Sequence, residues 1–300
     1  MRGSLAGANT AGPGPATVRS GTAPHLIGLF VLSAVSQYAG ASLAVRAFAA
    51  MPAAGVAWIR VLTGAAVLCA WRRPWRALRG QPRSALLLVA AFGVALAAMN
   101  LSFYLAISRL PLGTAVAIEF IGPVLVAALA VRGVRNLAAL VVAVAGVAVL
   151  SRISLSGSPA GVAFAITAGL LWALYIVLAH RVARRGLGTT GLAAAMAVGV
   201  VAIAPVAAAP ALESAGHGAV VLLAVAVGLL SSVLPYALDQ VLLRRLSRGA
   251  FALLLSLLPA TAALTGLILL RQVPGPLELL GIGLVVVAVT LRTPEVDPIG

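Results

Sequence analysis

Glu119 is the only acid set deep inside one of the apolar stretches of this chain. An ionisable group in hydrocarbon is costly, roughly 2.5–3.5 kcal/mol for an aspartate at the centre of a spanning helix, so it implies a proton, a partner or a cavity. Arg60 is the first candidate partner. It stands about six residues into its stretch and Glu119 about seven into its own, which at 1.5 Å per residue puts both ~9–11 Å below the same end. Asn100 precedes the turn at Leu110 by ten residues and Glu119 follows it by nine, so a helical hairpin brings these two level as well. Such a cluster suits a zwitterion: a guanidinium grips a carboxylate with two hydrogen bonds, a glutamate takes an ammonium, and an amide satisfies either. The alternative is a structural pair in which Arg60 and Glu119 neutralise each other and pin their helices together.

Other side chains extend this set. Gln37, Tyr38, Tyr104, Trp172, Tyr175 and Tyr236 all fall inside apolar stretches, where they either line a solute pocket or pack between helices. Gln37 and Trp172 fall near mid-depth in corresponding stretches, the first and the sixth. Pro123 lies four residues after Glu119 and removes the backbone hydrogen bond to that residue's carbonyl, and Pro259 stands at the equivalent place later in the chain; both are candidate helix bends. Asp239 closes the eighth stretch beside Arg244 and Arg245, as a solvated ion pair or a gate on that side. His25, His180 and His217 sit apart at stretch ends, and Cys69 is the only cysteine, so no metal site or disulfide is expected. No cofactor motif is present.

The elements that must position these groups are membrane helices. Hydrophobic residues make up 62% of the chain and charged ones 9%, with mean hydropathy +1.12, whereas a soluble domain carries about a quarter charged residues. Ten apolar spans are expected near 26–45, 54–71, 85–107, 112–131, 137–151, 160–179, 188–209, 218–238, 249–270 and 277–291. The fifth and tenth read as short. They are continuously apolar rather than alternating, which disfavours a barrel of strands.

The spans form two copies of a five-span unit, 25–152 and 160–292. A shift of 136 residues pairs Leu110 with Leu246, Gly113 with Gly249 and Pro123 with Pro259, and sets "RLPLGTAVAIEFIGP" against "RLSRGAFALLLSLLP". An odd number of spans per copy sends the second through the bilayer in the opposite sense, the architecture of many secondary transporters. The expected fold is therefore an all-α integral membrane protein of ten helices in two inverted repeats. Segments 1–24 and 293–300 read as tails, the first disordered and without the apolar core of a signal peptide.

The net charge of +15 comes from 21 arginines, with no lysine. Sixteen fall on one side of the alternating spans, against Arg46, Arg109, Arg152 and Arg271 on the other. Such a bias marks the cytoplasmic side and places both termini there. It also accounts for the charge without nucleic acid. Without lysine there is no phosphate-binding loop, hence no built-in ATPase, and no ATPase partner is required. An intramembrane enzyme would need a nucleophile with a base, a metal cluster or a second buried acid; none is evident. That leaves transport, driven by a gradient. Alternating access with proton exchange at Glu119 is the expected mechanism, and gradient-driven uniport the alternative.

The run "AMNLSFYLAISRLPLGTAVAIEFIGPV" (98–124) resembles the EamA-type branch of the drug/metabolite transporter superfamily, and more narrowly the bacterial threonine/homoserine exporters. "LLWALYIVLAHR" (170–181) and "LPYALDQVLLRRLSRGAFALLLSLLPATAALTGLILL" (234–270) support it, over nearly all of 26–292. The resemblance implies a ten-helix basket in a bacterial inner membrane exporting small metabolites, with amino acids as cargo, or a broader drug and metabolite range as the alternative. Two departures bear on cargo and coupling. The exporters usually carry a glutamate just before the proline of the ninth span, where this chain has Leu258, and Gly-Glu at that span's end, where it has Arg271 and Gln272.

Overall fold

The computed structural model describes residues 24–130, 133–155, 158–245, 254–255 and 257–291, and all regular structure within them is helical. Breakers set the boundaries. Pro52 precedes α2 (Ala53–Arg72), Pro82 precedes α4 (Arg83–Ile107), Pro111 precedes α5 (Leu112–Glu119), and Pro159 begins α8 (Pro159–Arg184); a proline is tolerated at such starts because the first N–H groups of a helix have no internal partner. Around these run α1 (Pro24–Ala47), the short α3 (Pro74–Leu78), α6 (Ile121–Ala130), α7 (Val134–Leu155), α9 (Gly188–Glu213), α10 (Gly218–Gly228), α11 (Leu234–Arg245), α12 (Leu258–Leu270) and α13 (Pro276–Leu291). A five-residue π-helix, Leu229–Val233, joins α10 to α11.

Seven helical segments are long and apolar enough to cross a membrane, and Leu112–Val126, Leu258–Leu270 and Pro276–Leu291 are shorter apolar ones. The fourth apolar stretch is shortened by a break at Phe120, three residues before Pro123. The fifth is longer than its apolar run suggests. α7 takes in Arg135, Asn136 and Arg152, polar residues that mark where apolarity stops but not where the helix does. The tails 1–23 and 292–300 lie outside the described residues.

Packing follows small residues. α2 lies along α9, where Gly55 meets the backbone of Ala211 and Gly64 meets Met196. α4 packs on α8 and α9, with Gly93 and Gly199 at the latter crossing. α7 packs on α13 through Gly146 and Gly281. α1 touches α10, α11 and α12, while α5 and α6 touch α8, and α5 touches α12. In lipid no hydrophobic force drives helices together, so close backbone approach of this kind holds the bundle.

Candidate functional site

Glu119 ends α5 at the point where the helix breaks, and Pro123 is the cause, since it has no N–H for Glu119's carbonyl. That carbonyl lies against Gly169 of α8, close enough that a Cβ there would stand 2.7 Å from the oxygen. In the later copy, Pro259 is the second residue of α12 and follows a turn at Leu257, so it starts a helical segment just after an interruption.

A cavity of about 460 Å³ opens beside Glu119. Arg60, Asn100, Gln37 and Tyr38 reach its wall, as do Trp172, Tyr175 and Tyr236, together with Pro123. Two sequence candidates, Tyr104 and Pro259, are absent from the wall; Tyr104 is fully buried, with the Arg60 guanidinium 5.2 Å from its ring centre. Met99, Phe103, Ile176 and Leu192 add apolar surface, and so does Leu258. Trp172 stacks edge-on to Phe120 at 5.0 Å, and Tyr175 lies 5.1 Å from Phe92, so both rings are set by packing while edging the cavity.

Arg60 does not pair with Glu119. Among the described residues no ion pair or hydrogen bond joins them, although both are largely buried. Arg60 instead donates through Nε to Ser232 Oγ at 3.1 Å and through Nη2 to the Ser231 carbonyl at 3.1 Å. Asn100 donates to the Leu96 carbonyl of its own helix at 2.8 Å. Arrangement thus favours an acid and a base sharing one cavity over a closed structural pair. Ser231 and Ser232 are functional candidates that sequence reasoning passed over; the signal available was two adjacent hydroxyls with a proline, Pro235, four residues after the first, all inside an apolar span.

The lining reaches both ways from the middle of the bundle. Ile176, Leu192 and Leu258 stand toward the arginine-rich ends of α8, α9 and α12, and Ala41, Arg60 and Phe103 toward the arginine-poor ends of α1, α2 and α4. At the arginine-poor end close contacts join the two halves, beside a smaller pocket of about 140 Å³. Gly113 at the start of α5 rests on Ala263, where an added Cβ would lie 2.8 Å from that residue's Cα. Gln272 Oε1 accepts from the Leu112 N–H at 2.9 Å, Thr114 Oγ1 donates to Glu278 at 3.1 Å, and Arg46 donates to the Leu269 carbonyl at 2.7 Å. Arg271 takes a left-handed backbone (φ 56°) that turns the chain back so that Gln272 can reach α5.

Trp58, partly buried in α2, donates to the Val200 carbonyl of α9 at 3.0 Å and so fastens the two helices. Trp71 and Trp75 are exposed. Asp239 belongs to α11, but its side chain lies outside the described residues. No group of three or more metal-binding side chains occurs among the described residues.

Residues 159–293 match the model of the EamA-like transporter family. The threonine/homoserine exporter RhtA of Escherichia coli is 36% identical over 268 residues, 87% of this chain and 88% of its own length. Its counterpart in Salmonella typhimurium is 33% identical over 272 residues, 88% of this chain and 89% of its own. One solved crystal structure superposes with a TM-score of 0.57 over 89% of this chain and 96% of the other at 20% identity, a likeness of fold alone.

Proposed function

Because the chain belongs to the EamA-like transporter family, a family of membrane transporters and not of enzymes, we propose that it exports amino acids, threonine and homoserine first among them, across a bacterial inner membrane. The observation that carries this reading is the cavity in which Arg60 and Glu119, on separate helices and not bonded to each other, face one space with Asn100. A guanidinium for a carboxylate, a carboxylate for an ammonium, and an aromatic and apolar wall for a short side chain make a site for a small zwitterion.

Transport runs by alternating access between two inverted five-span halves. Exchanging the halves maps the helix contacts onto one another: α4 on α8 corresponds to α10–α11 on α1, and α5–α6 on α8 to α12 on α1. The pairs α2 with α9, α5 with α12 and α7 with α13 map onto themselves. The match of the family model to residues 159–293 supports a second unit of that extent. With the arginine-rich ends in the cytoplasm, Ile176, Leu192 and Leu258 mark the cytoplasmic part of the cavity wall. The contacts of Gln272, Thr114 with Glu278, and Arg46 join the halves at its outer end. Glu119 alternates between the substrate's ammonium and an incoming proton, which couples export to the proton gradient.

Expression in a bacterium challenged with threonine, homoserine or a toxic amino-acid analogue tests the cargo. Raised resistance with a lowered internal pool is expected. Resistance confined to unrelated drugs would replace this reading with broad efflux.

A further inference from the structure

The π-helix Leu229–Val233 lies against Arg60, and its origin is legible in one residue. Pro235 has no N–H to give to the Ser231 carbonyl four residues back, and the Leu234 N–H reaches to Leu229, five residues back, which widens the turn. The carbonyls left without their usual donors are taken by side chains from other helices. Ser36 of α1 donates to the Leu230 carbonyl at 2.8 Å, and Arg60 of α2 to the Ser231 carbonyl. Ser231 Oγ in turn donates to the Gln37 carbonyl at 3.0 Å. Gly40 lets α1 come this close, for a Cβ at that position would run into Ser231 Oγ. Single π-turns inside α-helices recur at functional sites, and this one gathers α1 and α2 at the cavity wall.

We propose that the π-turn, through Ser232 and the Ser231 carbonyl, is the positioning element of a carboxylate site: it holds one edge of the Arg60 guanidinium and leaves the other to grip the carboxylate of the solute. This rests on the reading of the cavity as an amino-acid site. A guanidinium has five N–H donors in a planar fork. The side-on edge, Nε with the adjacent N–H of Nη2, is filled by Ser232 Oγ and the Ser231 carbonyl. The three remaining N–H groups, on Nη1 and Nη2, include the end-on pair, whose spacing matches a carboxylate. The Tyr104 ring lies beside the guanidinium, its centre 5.2 Å from the guanidinium carbon. Both acceptors held by the side-on edge are neutral, so no contact there compensates the positive charge. A guanidinium acting only as helix glue would have that charge matched by an acid, whereas Glu119 stands in the same cavity unbonded to it. Ser232 holds Arg60 from outside the cavity lining, so its role is to orient, while Ser231 holds Arg60 through its carbonyl and also borders the cavity.

The test measures uptake of labelled L-threonine by proteoliposomes of the full chain, with unlabelled L-threonine or L-threonine amide as competitor. Ser232→Ala is expected to raise KM for threonine about tenfold, the order of one lost charge-assisted hydrogen bond, with kcat nearly unchanged and the inhibition constant of the amide unmoved. Ser232→Thr, which keeps the hydroxyl, restores the wild-type values. Pro235→Ala, which returns an N–H to the Ser231 carbonyl, shifts the threonine-to-amide ratio in the same direction and reports independently should Ser232→Ala fail to assemble. Wild-type ratios in both Ser232→Ala and Pro235→Ala would overturn the positioning role and leave the amino-acid site standing. A wild-type protein that does not transport threonine, or binds acid and amide alike, would instead sink the amino-acid site and the proposal with it.

Discussion

The contacts that join the two halves at the arginine-poor end give the sharpest energetic prediction. α5 begins at Leu112, whose N–H has no partner within its own helix and is satisfied by Gln272 Oε1 at 2.9 Å. Two residues on, Thr114 donates to the Glu278 carboxylate at 3.1 Å. Under the proposed alternating access, opening this end parts α5 from residues 272–278 and breaks both bonds. Gln272→Met keeps the length of the side chain but removes the acceptor, a loss of about 1 kcal/mol for a neutral hydrogen bond, or about a fivefold shift toward the open state. Adding Thr114→Val removes a bond to a charged group, about 1.5–3 kcal/mol more, for a combined loss of about 2.5–4 kcal/mol and a shift of about 70- to 900-fold. Spin labels on cysteines placed at Ala50 and Val273, both exposed near this end, with Cys69→Ser as background, report the opening as a distance distribution. The single substitution should enlarge a longer-distance population, and the double should make it dominant. Distributions identical to wild type in the double variant would show that these bonds do not hold the outer end shut.

Three further outcomes follow from the cavity. Arg60→Leu should weaken threonine far more than threonine amide in competition uptake, and an equal loss for both would refute the carboxylate grip. Leu258→Glu puts a second acid on the cavity wall, so lysine should begin to compete with threonine for uptake; an unchanged competition profile would remove Leu258 from the site. Gly122→Ala forces a methyl against the Gly169 carbonyl and should lower stability by about 1–3 kcal/mol, the usual cost of overpacking, seen as a drop in melting temperature in detergent.

Much of this fold is written in coarse features of the chain. Apolar runs as long as the bilayer is thick mark the helices, and the breakers Pro52, Pro82, Pro111 and Pro159 mark their ends, because both signals are local. Placing Arg60, Asn100 and Glu119 at one level needed only the helical rise and the turn at Leu110, and all three line the cavity. What could not be read depends on how helices rotate and touch. Arg60 matches Glu119 in depth, yet its donors go to Ser232 and Ser231 on a helix more than 170 residues away in the chain, a choice made by helix rotation. Tyr104 has the same composition signal as Tyr38, but the two differ in which face of their helix meets the cavity. α7 runs past its apolar core because Arg152 is exposed at its end and Arg135 donates to the Leu291 carbonyl, while Asn136 is buried in the bundle.

Proton-driven movement of an amino acid through the cavity that Glu119 and Arg60 share is tested most directly in inverted membrane vesicles under an imposed pH gradient, acid inside. Labelled threonine should accumulate with the wild-type protein, collapse to equilibrium when the gradient is dissipated, and fail to accumulate with Glu119→Gln. Accumulation by Glu119→Gln equal to that of the wild type would contradict the account.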